Sequence, residues 1–159
     1  MEFDIIDCKI IDLLQQDSRQ SVSEIGESVG LSPSATHRRV GILENKGVIE
    51  GYCARLNGEK LGYSLLFFVE VTLDSQSEAV LAAFEAAAIA RPEVLECYLT
   101  TGSGDYLIKV AAPDTKSYEQ IYKRIIASLP HVNRIQSSLV MKTVKPWMGY
   151  PPRTLQSGA

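Results

Sequence analysis

The sequence predicts an α+β chain in two parts: a tri-helical unit with a small β wing, then a ferredoxin-like βαββαβ unit. Three observations carry this reading. Helix-start signals crowd the N-terminal third, at Asp4, Ser21 and Ser32-Pro33. From Ser64 the apolar residues stop recurring at helical spacing and begin to alternate. After that point, four strand-like runs are separated by two helical ones and one glycine-rich loop.

Residues 4–16 place Ile6, Ile10, Leu13 and Leu14 on one helical face, with Asp4 at the positive end of the dipole. Ser21-Val22-Ser23-Glu24 is a capping box, in which hydroxyl and carboxylate satisfy each other's orphan amides. The helix it opens buries Ile25 and Val29 and stops at Gly30. Ser32 as N-cap and Pro33 at the first helical position open a third helix, expected to run to about Lys46 and close at Gly47. Two short helices joined through Gly-Leu-Ser are a helix-turn-helix. On the third helix, Val40, Leu43 and Gly47, with Thr36 alongside, form a packing face. Ser34 and Arg38 project opposite, with His37 on the flank and Arg39 sideways. Hydroxyls and guanidinium on an exposed N-terminal half suit the major groove, arginine for guanine edges and hydroxyls for bases or phosphates. A solvated face that touches nothing is the plainer alternative, and the capped turn in front of it argues for the groove. Residues 48–58 predict a hairpin wing around Glu50-Gly51, from which Arg55 can reach a phosphate. The candidate DNA contacts are therefore Ser32, Ser34, Thr36, His37, Arg38, Arg39 and Arg55.

In the second part, Leu65, Phe67, Val69, Val71 and Leu73 alternate along a first strand whose early residues are apolar on both faces, so cover on both sides is expected. Ser77–Ala90 follows as an alanine-rich helix ended by Arg91-Pro92. Val94–Thr101 and Asp105–Ala111 read as strands flanking Gly102-Ser103-Gly104, Ser117–Ser128 as an amphipathic helix, and Val132–Val144 as a last strand. The domains predicted are 1–57 (winged helix-turn-helix), 58–63 (linker), 64–145 (βαββαβ) and 146–159, an extended arm. In that arm, prolines exclude regular structure and Trp147, Met148 and Tyr150 are costly to leave wet. Its last residues, Thr154 to Ala159, are expected to be loose.

Composition narrows the function. Apolar residues make up 45% and charged residues 22% of the 159, ordinary values for a globular protein, and no apolar run is long enough to span a bilayer. The acidic start Met1-Glu2-Phe3-Asp4 does not suit a signal peptide, so the cytoplasm is the expected compartment. Cys8, Cys53 and Cys97 form no C-x-x-C pair, and His37 and His131 are the two histidines, which argues against disulfides and metal sites. Up to Gly62 there are 7 basic against 10 acidic residues, and 9 against 9 beyond it, so neither half is globally basic. DNA binding rests on local pattern alone.

The stretch Gly30-Leu31-Ser32-Pro33-Ser34-Ala35-Thr36-His37-Arg38-Arg39-Val40, followed by Leu43-Glu44, Gly47-Val48-Ile49 and Gly51-Tyr52, resembles the Lrp/AsnC (feast/famine) family of transcription regulators. The resemblance continues through Glu96-Cys97-Tyr98-Leu99, Gly102-x-x-Asp105-Tyr106-Leu107, Pro113-Asp114, Tyr118 and Leu129-Pro130-His131-Val132, covering residues 4 to about 145. It implies that the second part is a RAM domain, which binds a small amino acid between dimers and builds octamers or related assemblies. The protein is then a non-enzymatic, nucleoid-associated regulator with double-stranded DNA and an amino-acid effector as partners, and with no cofactor beyond that effector.

Read without the family, Gly102-Ser103-Gly104-Asp105 is a hairpin turn, glycine for positive φ and aspartate for its own backbone. Read with it, the amides suit a carboxylate and Asp105 an ammonium group. The candidate effector site is Tyr98, Thr100, Gly102, Ser103, Gly104 and Asp105, with Thr115, Ser137 and Ser138 as a second layer. Serine at 138, where the family often carries something larger, leaves more room or a more polar wall, so leucine is not assumed. Two other readings stay open: an architectural DNA-binding protein without effector, and a sirohaem-decarboxylase-like enzyme. The latter's histidine- and tyrosine-rich motifs are missing here, and no nucleophile–base pair replaces them.

Overall fold

The computed structural model describes residues 3–152. These divide into two units, one formed by the residues up to Arg55 together with those from Lys145 on, the other by Leu56–Val144. The arm therefore belongs with the N-terminal helices.

The first unit holds three helices: α1 (Ile5–Gln16), α2 (Val22–Val29) and α3 (Pro33–Asn45). Their starts follow from side chains close in sequence. Asp4 and Asp7 form a reciprocal capping box on α1, and Ser21 and Glu24 do so on α2, satisfying amides that a helix leaves orphaned. The apolar stripes converge on a small core of Ile10, Ile25 and Leu43, with Leu14, Val29 and Val40 packed around it. Gly26 fixes how close α2 comes to the turn before α3: a Cβ there would stand 2.8 Å from the Leu31 carbonyl oxygen and 2.9 Å from Thr36 Oγ1.

The expected wing hairpin does not form within the chain. Residues 50–57 run without helix or strand partners and are exposed. Tyr52 is tied down, its hydroxyl donating to Glu44 Oε1 at 2.9 Å, and burial with that carboxylate pushes its pKa up to about 12. The arm docks on its own chain: the Gln15 side-chain amide donates to the Tyr150 carbonyl (2.8 Å) and accepts from the Tyr150 N–H (2.7 Å). The expectation that its aromatic residues bury is not met within one chain. Trp147 stands edge-on to Tyr150 and stays 68% exposed. Thr154 to Ala159 lie outside the described residues.

The second unit, after a 3-10 turn at Glu59–Leu61, is β1 (Leu65–Leu73), α4 (Glu78–Ile89), β2 (Val94–Leu99), β3 (Tyr106–Ala112), α5 (Thr115–Arg124) and β4 (Val132–Leu139). The sheet is antiparallel in the order β2-β3-β1-β4, the ferredoxin-like arrangement. Alternation buries Phe67, Val69, Val71 and Leu73 of β1 and Tyr106, Ile108 and Val110 of β3 in one core with Phe84, Ala88, Ile126 and Leu129 from the helical side. The other sheet face is open within the chain, so β1 is covered on one side only, and Phe68 is 36% exposed. Two bounds differ from expectation. The second helix starts earlier, at Thr115 behind an Asp114 N-cap, and tightens into a 3-10 turn at Ile126–Ser128 that drops Ile126 and Leu129 into the core. The last strand stops at Leu139 because β1 begins at Leu65: the Val140 N–H takes the Leu66 carbonyl, and little of β1 remains to pair. Among the described residues, no helix is long and apolar enough to cross a membrane.

Candidate functional site

Helix α3 brings the first set of candidates to one place. Ser32 caps it, accepting the Ala35 N–H at 3.3 Å, and its hydroxyl lies 3.2 Å from that of Ser34. Ser34, His37 and Arg38 are exposed along the face opposite the core. Two candidates must be corrected. Thr36 is fully buried, its hydroxyl donating to the Ser32 carbonyl at 3.0 Å. It packs over Gly26 and has no surface to offer a base. The Arg39 guanidinium donates to Asp4 (2.8 Å) and Asp7 (2.7 Å), pinning α3 to the start of α1. These hydrogen bonds hold its pKa above the ordinary arginine value, so its charge is spent inside the unit. Arg55 is exposed, with its guanidinium against the Met148 sulfur of the arm.

The second set is gathered only in part. Asp105 stands where β3 begins, beside a slip in the β1–β4 register at Thr72/Leu73. Its Oδ2 accepts the Leu73 N–H at 2.7 Å and its Oδ1 the Gln76 side-chain amide at 2.9 Å. Both carboxylate oxygens thus staple the loop to the end of β1, which takes up two of the acceptor sites of Asp105. The Thr100 hydroxyl is also used inside the hairpin, donating to the Gly104 carbonyl at 3.2 Å. Tyr98 lies nearby on β2 and bonds Glu96 at 3.0 Å. The amides of Gly102, Ser103 and Gly104 meet no acceptor among the described residues.

Thr115, Ser137 and Ser138 do not join this group within one chain. Thr115 follows β3 at the end opposite to Asp105, roughly 20 Å away at the rise of a strand. Ser137 pairs with Val69 and accepts the Tyr118 hydroxyl on the helical side, while Ser138 pairs with Phe68 on the open face. A residue the sequence reading passed over takes their place. Glu70, on the open face of β1, accepts the Ser103 hydroxyl on both oxygens (3.1 and 3.2 Å). Gly104 lies directly on its side chain, where a Cβ would come within 2.2 Å of Glu70 Cγ. The available signal is the one charged residue of the strand, an acid between Val69 and Val71.

A helix-turn-helix with an open polar face and a separate ferredoxin-like domain with a glycine-rich loop together define a ligand-responsive DNA-binding regulator. Comparison with known proteins agrees. The sequence profile of the Lrp/AsnC ligand-binding domain matches residues 66–149, and that of a winged helix-turn-helix DNA-binding module matches residues 3–50. The first match ends four residues into the arm, a little beyond the resemblance at about residue 145. The leucine-responsive regulatory protein of Salmonella typhimurium is 41% identical over 144 residues, 91% of this chain and 88% of the relative. A transcriptional regulator from Neisseria meningitidis, solved as its L-Met complex, superposes with a TM-score of 0.89 at 32% identity, covering 94% of this chain and 96% of that one. An AsnC family regulator from Agrobacterium tumefaciens gives 0.88 at 34% identity, with 94% and 97% covered. The chain belongs to the Lrp/AsnC family of transcriptional regulators, with a DNA-binding helix-turn-helix and a ligand-binding domain.

Proposed function

We propose that the protein binds a pseudo-palindromic DNA site as a dimer or higher, octamer-like assembly, and that an amino acid bound at the Gly102–Asp105 loop, between dimers, shifts that assembly. The observation that carries the effector half is the loop itself. Its three successive amides lack acceptors within the described chain, which suits a carboxylate, and a structural neighbour is an L-Met complex. The DNA half is supported by His37 and Arg38 with Ser34, exposed on the recognition helix, with Ser32 at its cap and Arg55 as a further phosphate contact.

Affinity then comes largely from phosphate contacts and falls with salt. The effector acts by binding one arrangement better than another. Serine at 138, supplied to the site between dimers, gives more room or a more polar wall, so leucine is not assumed as the effector. The protein works at the nucleoid, in the cytoplasm, on genes of amino-acid uptake or metabolism, and catalyses nothing.

The test is a gel-shift titration on the region upstream of the protein's own gene, with each standard amino acid added in turn. A change in affinity or in the ladder of complexes with one or a few amino acids is expected. Shifts that ignore every amino acid would leave the architectural reading, and no shift at all would remove DNA recognition at that site.

A further inference from the structure

We infer that Glu70, rather than Asp105, holds the ammonium group of the amino-acid effector. The inference rests on the effector reading above and assigns the second pole of that site.

Free amides at the loop bind only one end of an α-amino acid. The other end needs a carboxylate that is near the loop, partly shielded from water and with most of its acceptor sites open. Asp105 is near and half-buried, but the Leu73 N–H and the Gln76 amide take a site on each of its oxygens and hold it in the turn. Glu70 meets all three conditions. It is half-buried, and its carboxylate receives one donor among the described residues, the Ser103 hydroxyl shared between both oxygens. Most of its acceptor sites are open.

The cations on the same sheet face do not pair with Glu70. Lys109 gives its ammonium to Glu96 at 2.8 Å, which holds the Glu96 carboxyl below its usual range. Arg134, on the adjacent strand, donates to Gln136 at 3.3 Å. Among the described residues Glu70 therefore meets no cation. A half-buried carboxylate without one is costly, and a ligand ammonium supplies the missing partner. The loop backbone lies on the Glu70 stem at Gly104, so the amides and the carboxylate are close enough for one small zwitterion to meet both. Glycine at 104 then does two things: it admits the close approach and leaves no side chain between the poles.

The experiment removes the same interaction from either side. Wild type, Glu70→Gln, Glu70→Asp, Ser103→Ala and Asp105→Asn are checked for folding by circular dichroism and titrated calorimetrically with the standard L-amino acids. Any binder is then compared with its des-amino analogue, 4-(methylthio)butanoate in the case of L-methionine. Wild type should lose roughly tenfold or more in affinity when the ammonium is removed. Glu70→Gln should weaken the amino acid by a similar factor and no longer distinguish the pair. Glu70→Asp should recover part of the discrimination, and Ser103→Ala and Asp105→Asn should retain it. Discrimination unchanged in Glu70→Gln, or lost in Asp105→Asn instead, would overturn the assignment. If wild type binds no amino acid, the effector reading fails first, before any variant is compared, and this assignment fails with it.

Discussion

The recognition helix and the effector loop treat their polar groups in opposite ways. On α3 the structural work is done by buried or inward groups, Thr36 on the Ser32 carbonyl and Arg39 on Asp4 and Asp7, which leaves His37 and Arg38 exposed. At the loop the polar side chains are themselves the structure: Asp105 staples β1, Thr100 closes the hairpin and Ser103 lies on Glu70. A surface that reads DNA can be finished within one chain. A site that answers to a small molecule is left with bare amides and one uncompensated acid.

The contrast can be broken hardest at Gly26. Gly26→Val drives a side chain into the Leu31 carbonyl and Thr36, and is expected to destabilise the first unit by up to about 3 kcal/mol and abolish DNA binding. Urea unfolding followed by Trp147 fluorescence, and a gel shift, check this. Asp105→Ala strands the Leu73 N–H and is expected to cost about 2 kcal/mol, read from unfolding curves of the second unit. If the change costs nothing, Asp105 is not a staple and the loop resembles α3 after all.

The adjacent arginines sharpen the comparison further. Arg38→Ala is expected to weaken DNA binding by about 1 kcal/mol or more with stability unchanged. Arg39→Ala is expected to lower the melting temperature, and salt-dependence titrations should show its loss of a phosphate contact to be smaller than that of Arg38. The smallest effect is acidic. Asp4 is depressed below the usual carboxylate range, chiefly by the Asp7 N–H and also by Arg39. A depressed carboxyl contributes stability that is full above its unfolded pKa and is lost as pH falls through the folded one. The first unit should thus weaken by a few tenths of a kcal/mol below about pH 4, the group being half exposed. An Asp4→Asn variant should flatten that part of the pH profile.

Most of the fold was legible because its signals are local. The Ser21–Glu24 box, Ser32-Pro33 and the β1 alternation involve neighbours within four residues, and all appear where expected. What escaped depends on residues far along the chain. Arg39 looked like a phosphate contact because its partners lie 32 and 35 positions upstream. Asp105 looks free because its backbone donor, the Leu73 N–H, lies 32 positions upstream, just past the last residue of β1 that pairs with β3. Residues 48–58 alternate like a hairpin, but among the described residues no strand pairs with them. Thr115 lies far from the loop within one chain because β3 carries the chain away from its own first residue.

The Gln15–Tyr150 clasp has a consequence for synthesis. The three helices leave the ribosome first, and domains generally fold in that order. Their last partner, the arm, is translated only after the whole ligand-binding domain. The DNA-reading unit therefore receives this contact only after the whole ligand-binding domain has been made, and a chain cut short after β4 would carry both domains while leaving the Gln15 amide without that partner.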